Sequence, residues 1–157
     1  MGNRAVIVQV ENDDYLKYET NEDIEKFLEN HAGIYLHWNG GRDSIEGFLE
    51  YARLCGIRSS TNDLSYSNAQ LIRIIANFFE GTLSIGVDNV KSLDTDNYDN
   101  GVYIVKDFNI VRRLYPCDEE QQNYSLGVML DTINNNQPHK LQEIYANSDF
   151  KAELQPV

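Results

Sequence analysis

The segment Ser67–Phe79 constrains this chain more than any other. Leu71, Ile72, Ile74, Ile75, Phe78 and Phe79 put apolar groups on most sides of any helix built from it. Such a helix must be covered from several directions, so it is expected as the central buried helix. Gly81 is its natural C-terminal stop. A chain of 157 residues can bury a core of that kind within one domain.

The remaining elements are short. Val6–Val10 reads as a strand rich in β-branched residues. Thr20 and Asn21 offer caps for a short helix with Ile24, Phe27 and Leu28 at helical spacing. Gly33–Trp38 reads as a second strand with Trp38 as a packing anchor, and Asn39-Gly40-Gly41 then turns the chain. Asp43 and Glu46 form a capping box for a helix whose apolar face runs through Ile45, Phe48, Leu49, Ala52 and Cys55. Leu83–Val87 reads as a third strand, weakened by Gly86. Gly101–Val105 and Ile110–Leu114 flank a four-residue connection, Lys106-Asp107-Phe108-Asn109, as a hairpin. Leu126, Met129, Leu130 and Ile133 mark another helix, and Leu141–Tyr145 a last short one. Strands come in pairs and helices in runs, without a βαβ rhythm. The expected class is α+β, a single domain over 1–157 with a mainly antiparallel sheet, three to five helices and a frayed tail at 148–157.

Charge narrows the function. Asp and Glu number 25 against 13 Lys and Arg, a formal net charge of −12 with a pI near 4.5. That field repels nucleic acid and draws basic surfaces, including the clefts in which other proteins hold DNA or RNA. The acids gather at Glu11-Asn-Asp13-Asp14, Glu22-Asp23-Glu25, Asp94 to Asp99 and Asp118-Glu119-Glu120. The 10 tyrosines suit an interface, each offering an apolar ring with a polar tip. Asp13, Asp14, Arg42, Asp118, Glu119 and Glu120 are accordingly the candidate partner-binding residues. No apolar run approaches the roughly 18 residues of a membrane span. Met1-Gly2 begins like a myristoylation signal, but Val6 stands where Ser or Thr is required. Two cysteines, Cys55 and Cys117, and no signal-like start fit free thiols in a reducing cytoplasm.

Three constellations bear on chemistry. Asp94, Asp96 and Asp99, with side-chain amides between them and Gly101 at the end, resemble a loop for a divalent cation. Neither register completes the calcium pattern: starting at Asp94 puts Tyr98 and Asp99 at the fifth and sixth positions, starting at Asp96 puts Tyr98 at the third, and no Glu stands at the twelfth in either. Asn39-Gly40-Gly41-Arg42-Asp43 can be read as a backbone anion site aided by Arg42, or as a plain turn capped by Asp43; the phosphate-loop and dinucleotide patterns are missing. His31, His37, His139, Cys55 and Cys117 lack the paired spacing of zinc modules, and Cys55 reads as a buried small hydrophobe. No strong catalytic motif is present, so binding is favoured over catalysis.

The stretches Met1-Gly-Asn-Arg-Ala-Val-Ile7, Gly33-Ile-Tyr-Leu-His-Trp-Asn-Gly-Gly-Arg-Asp-Ser44, Asn77-Phe-Phe-Glu-Gly81 and Leu93-Asp-Thr-Asp-Asn-Tyr-Asp-Asn-Gly-Val-Tyr-Ile104 resemble a family of small acidic proteins of Gram-positive phages, prophages and mobile elements. The resemblance spans most of residues 1–115, with Glu11 to Asn30 as an insertion relative to shorter members. It brings no reaction and no site residues. It implies a phage-borne accessory protein like those that inhibit host defence, anti-CRISPR and anti-restriction proteins among them. The expected function is an acidic inhibitor of a host nucleic-acid-binding protein, such as a CRISPR effector nuclease, acting without direct nucleic-acid contact. The alternatives are a metal-dependent enzyme or metal-stabilised protein using Asp94, Asp96 and Asp99, and a sponge for an anionic nucleotide signal at Asn39 to Asp43.

Overall fold

Ala5–Gln9 forms a strand, β1, in which all five residues are buried. Alternate side chains of a strand point to opposite faces, so both faces of β1 need a cover. Ala5 and Ile7 enter one apolar cluster and Val6, Val8 and Val10 enter another. The computed structural model describes residues 2–117 and 123–148 and places β1 at the centre of a five-stranded sheet. Its other strands are β2 (Ala32–Leu36), β3 (Ile85–Asn89), β4 (Val102–Lys106) and β5 (Asn109–Leu114), in the order β3-β2-β1-β4-β5. All neighbours pair antiparallel except β1 and β4, which run parallel with Val6 opposite Val102 and Val8 opposite Ile104. The fold is α+β with a mostly antiparallel, mixed sheet.

Four helices cover one face: α2 (Arg42–Leu54), α3 (Leu64–Phe78), α4 (Leu126–Asn135) and α5 (His139–Ala146). Alpha-2 lies at the heart of this layer, burying Ile45, Phe48, Leu49, Tyr51 and Ala52, and it touches α3, α4 and α5. Gly47 lets α4 approach, for a Cβ there would stand 2.5 Å from Met129 Cγ. Alpha-3 is less central than its composition suggests. Its Asp63 cap starts it at Leu64, and only Ser67, Leu71, Ile74 and Ile75 are buried, with Ile72 left on a half-open flank. The opposite face is covered by α1 (Asn21–Phe27), the 3-10 turn Asp14–Lys17 and the 3-10 turn Val90–Ser92. Tyr15, Ile24, Leu28 and Val90 pack there on Val6, Val8, Val102 and Ile104.

Local chemistry departs from expectation in several places. The β4–β5 connection has two residues, not four: Asp107 and Phe108 both adopt positive φ, 48° and 64°, and β5 starts at Asn109. Trp38 is 46% exposed, set edge-on to His37, so it anchors no core. Four of the ten tyrosines, Tyr15, Tyr51, Tyr103 and Tyr145, are buried core residues instead of interface groups. Three of them place their hydroxyls on acceptors: Tyr51 donates to Asn134 at 2.8 Å, Tyr103 to the Gly40 carbonyl at 2.7 Å and Tyr145 to Asp131 at 3.0 Å. Cys55 is buried, as expected of a small hydrophobe, and Cys117 is exposed. Ser148, the first residue of the expected frayed tail, is buried and donates to the Tyr145 carbonyl; residues 149–157 lie outside the described residues.

Two glycines of this framework should answer the same substitution in opposite ways. At Gly40 a Cβ would meet Asn3 O at 2.5 Å and Ala5 Cβ at 2.8 Å, where the turn presses on β1. Gly40→Ala should therefore cost about 1–3 kcal/mol in denaturant unfolding. At Gly86 a Cβ would meet nothing within 4 Å, so Gly86→Ala should be neutral or stabilise by roughly 0.5–1 kcal/mol.

Candidate partner-binding face

The acidic residues are sorted by the two-sided sheet. Residues 11–29 contain eight Asp and Glu against two Lys, half of the chain's net negative charge. This segment forms the thin cover over the second face. Its inner side is apolar: Tyr15 from the 3-10 turn and Ile24 and Leu28 from the helix region enter the core. Its folding is local. Asn12 Oδ1 accepts from the Asp14 amide at 2.9 Å, Thr20 Oγ1 caps α1 through the Asp23 amide at 3.1 Å, and Tyr18 stacks on Phe27. With Tyr15, Ile24 and Leu28 turned in, Glu11, Asp13, Glu19, Glu22 and Asp23 are left exposed, beside the exposed side chains of Leu16 and Tyr18.

The loop between the Val90–Ser92 turn and β4 adds to the same surface. Thr95 Oγ1 donates to Glu25 Oε2 at 2.9 Å and ties the loop to α1. The organiser is Asn97, which is fully buried. Its amide nitrogen donates to the carbonyls of Asp94 and Gly101, while its oxygen accepts from the amides of Asp99 and Gly101 at 3.1 and 3.0 Å. Around it Asp96 and Tyr98 are exposed. Burial, together with the charges of Glu25, Glu22 and Asp96, pushes the Tyr115 phenol up to about 12, a measure of how closely these acids gather.

The candidate cation ligands do not converge. Asp99 Oδ2 accepts from the Arg4 backbone amide at 3.0 Å and from Arg4 Nε at 2.7 Å, and Arg4 Nη1 lies 3.9 Å from Asp94. Asp96 is exposed to solvent. The positive charge that Asp94 and Asp99 meet is thus a guanidinium from the chain itself. Among the described residues no three His, Cys, Asp or Glu side chains form a group able to hold a metal ion. Burial alone would raise the Asp99 carboxyl, but the Arg4 hydrogen bonds and charge outweigh it and hold the group below its ordinary value.

The expected partner-binding residues fall in different places. Asp13 and Asp14 lie on the acidic face; Asp13 is paired with Lys106, and Asp14 lies 3.3 Å from Lys17. Arg42 lies on the other side of the sheet, in the first turn of α2, with its Nε 2.7 Å from Glu46 Oε1. Asp118, Glu119 and Glu120 lie outside the described residues. Asp43 is structural, but not as a cap: Gly41 is the N-cap of α2. The buried Asp43 carboxylate instead accepts from the Asn123 and Tyr124 amides at 2.7 and 3.0 Å, fixing the entry to α4. The Asn39–Asp43 turn is used internally as well, since the Gly40 amide donates to Asn3 O and its carbonyl accepts from Tyr103. The neighbouring Arg112 and Arg113 of β5 are engaged as well, Arg112 donating to Glu19 O and Arg113 stacked 3.8 Å over the Tyr103 ring. Asn97 escaped sequence reasoning, because an Asn between aspartates carries no mark of being buried.

Asn97→Ala should cost about 2–3 kcal/mol, because it strips partners from several loop amides and carbonyls at once. The Arg4–Asp99 pair should show itself in acid. A carboxyl whose folded pKa is depressed contributes stability in full above its unfolded value, here about 3.8; that stability is lost as pH falls through the lower folded value. Thermal melts should therefore fall steeply below that pH in the native protein and more gently in Asp99→Asn.

Comparison of the chain with protein-family models, with curated proteins and with solved structures finds no match.

Proposed function

We propose that this protein is an acidic inhibitor that occupies the basic cleft of a nucleic-acid-handling host defence protein, a CRISPR effector nuclease being the natural class of target. One observation carries the reading: half of the net charge sits in the segment 11–29, folded as a layer whose apolar side is consumed by the sheet and whose exposed side carries the acids. Such a layer carries negative charge on a rigid support. Its field would steer it towards a channel built for phosphates and raise the rate of encounter. The resemblance to small acidic phage proteins points the same way. On this reading the protein acts in the bacterial cytoplasm by binding, without a cofactor.

The test is a pull-down from host lysate followed by association kinetics with the protein recovered. Association should slow about tenfold or more as salt rises, because screening shortens the range of steering to about 8 Å at physiological ionic strength. Neutralising exposed acids of the layer and its adjoining loop with Glu11→Gln, Glu19→Gln and Asp96→Asn should slow association and leave the melting temperature nearly unchanged. Recovery of no nucleic-acid-binding partner, or a salt-independent rate, would refute the proposal.

A further inference from the structure

Among the described residues strand β3 is an edge of the sheet, paired only with β2. The phase of its hydrogen bonds follows from the bonds on either side of it. His37 N donates to Ser84 O at 2.9 Å and Val90 N to His31 O at 3.0 Å. In an antiparallel ladder the bonded residues alternate. Gly86 and Asp88 therefore turn their main-chain groups to β2, and Ile85, Val87 and Asn89 turn theirs outward. Two of those outward amides are satisfied locally, Ile85 by Thr82 O and Asn89 by Asp88 Oδ1. Val87, at the centre, keeps its N–H and C=O directed to solvent.

Beside this edge, on the helix side, runs an open groove of about 780 Å³. Its apolar lining is Phe27, Ala32, Leu64, Ala69, Ile72 and Val87, and Val87 is 51% exposed. Among the described residues no Lys or Arg lines it. Burial pushes the lining His31 below its ordinary value in spite of nearby Glu11, so it adds no charge near neutrality. On the other face of the edge Asp88 is exposed, and Lys91 beyond it lies among Glu22, Glu25 and Glu29. Beta-3 contains no Pro, Lys or Arg, residues by which edge strands are usually blunted.

We propose that β3 and its groove accept an extended segment of a partner protein as a sixth strand, one whose side chains alternate between apolar and Lys or Arg. The proposal rests on the reading of a basic partner. Alternate side chains of an added strand point to opposite faces. Apolar ones would fill the groove between α3 and Val87, and basic ones would lie on the side of Asp88 and the acidic layer. Charge selects this occupant over a second copy of the chain, which would bring another net charge of −12 against the first.

The probe is a short synthetic peptide of alternating Val and Lys, compared with a peptide of the same composition in two blocks and with an alternating peptide N-methylated on every second amide. Fluorescence anisotropy should give the alternating peptide roughly tenfold tighter binding than either control, as expected for a few edge hydrogen bonds. Hydrogen exchange should show the Val87 amide newly protected. Val87→Pro, tolerated where an edge N–H faces solvent, should abolish the preference; the N-methylated peptide makes the same test on the unaltered protein. Equal binding of all three peptides would overturn the docking strand and leave the acidic inhibitor standing. Binding of none would overturn the docking strand alone, since the inhibitor stands or falls with the partner recovered from lysate. Salt-promoted dimers lost in Val87→Pro would replace the partner strand with a second copy.

Discussion

Burial of β1 on both faces is the constraint on which the rest of the structure depends. A strand reading Ala-Val-Ile-Val-Gln, with no exposed side, cannot lie on the surface of a two-layer fold. It requires apolar cover above and below, and the chain supplies two covers of unequal kind. One is a thick layer of four helices around α2. The other is thin, a short helix and two 3-10 turns contributing only a few apolar side chains. Even the polar end of β1 obeys the rule. Gln9 is buried and is held by Asn68 and Ser67 of α3, so its amide is satisfied within the helical side.

The thin cover is where the acidic residues collect. A layer one helix deep has little apolar surface to hide and much surface to expose, and here the exposed part is acidic. Acids at the start of α1, Glu22 and Asp23, also favour its macrodipole, so the same residues stabilise the cover and charge it. The Asp94–Gly101 loop is drawn into this surface by Thr95 and is braced from beneath by Asn97 and Arg4. Charge is thus held at fixed positions over the second face of the sheet.

Much of the fold was legible in the sequence because the signals were local. Thr20 as a cap, the face Ile45–Phe48–Leu49–Ala52 and the β-branched runs of β1 and β4 all specify their own elements. The parallel pairing of β1 with β4 was not legible, since it joins residues nearly a hundred apart with no local mark. The hairpin is legible but the length of its turn is not, because Phe108 is an unusual occupant of positive φ where such a turn favours Gly after Asp. Asp43 was recognised as structural, yet its partners, the amides of residues 123 and 124, lie some eighty positions away. Trp38 failed for the opposite reason: a lone tryptophan suggests a core, and nothing in its neighbours reveals that the strand has ended at Leu36. Of the candidate site, the acidic segments were visible as composition. That one of them forms a separate face became visible only once the sheet divided inside from outside twice.

The central claim is that the thin acidic cover, not the outer surface of α4 and α5, meets the partner. Hydrogen exchange of the protein alone and bound to the partner recovered from host lysate tests it most directly. The account predicts new protection within residues 11–29 and 94–99 and none on the outer surfaces of α4 and α5. Protection confined to those two helices, with the acidic cover exchanging as in the free protein, would contradict it.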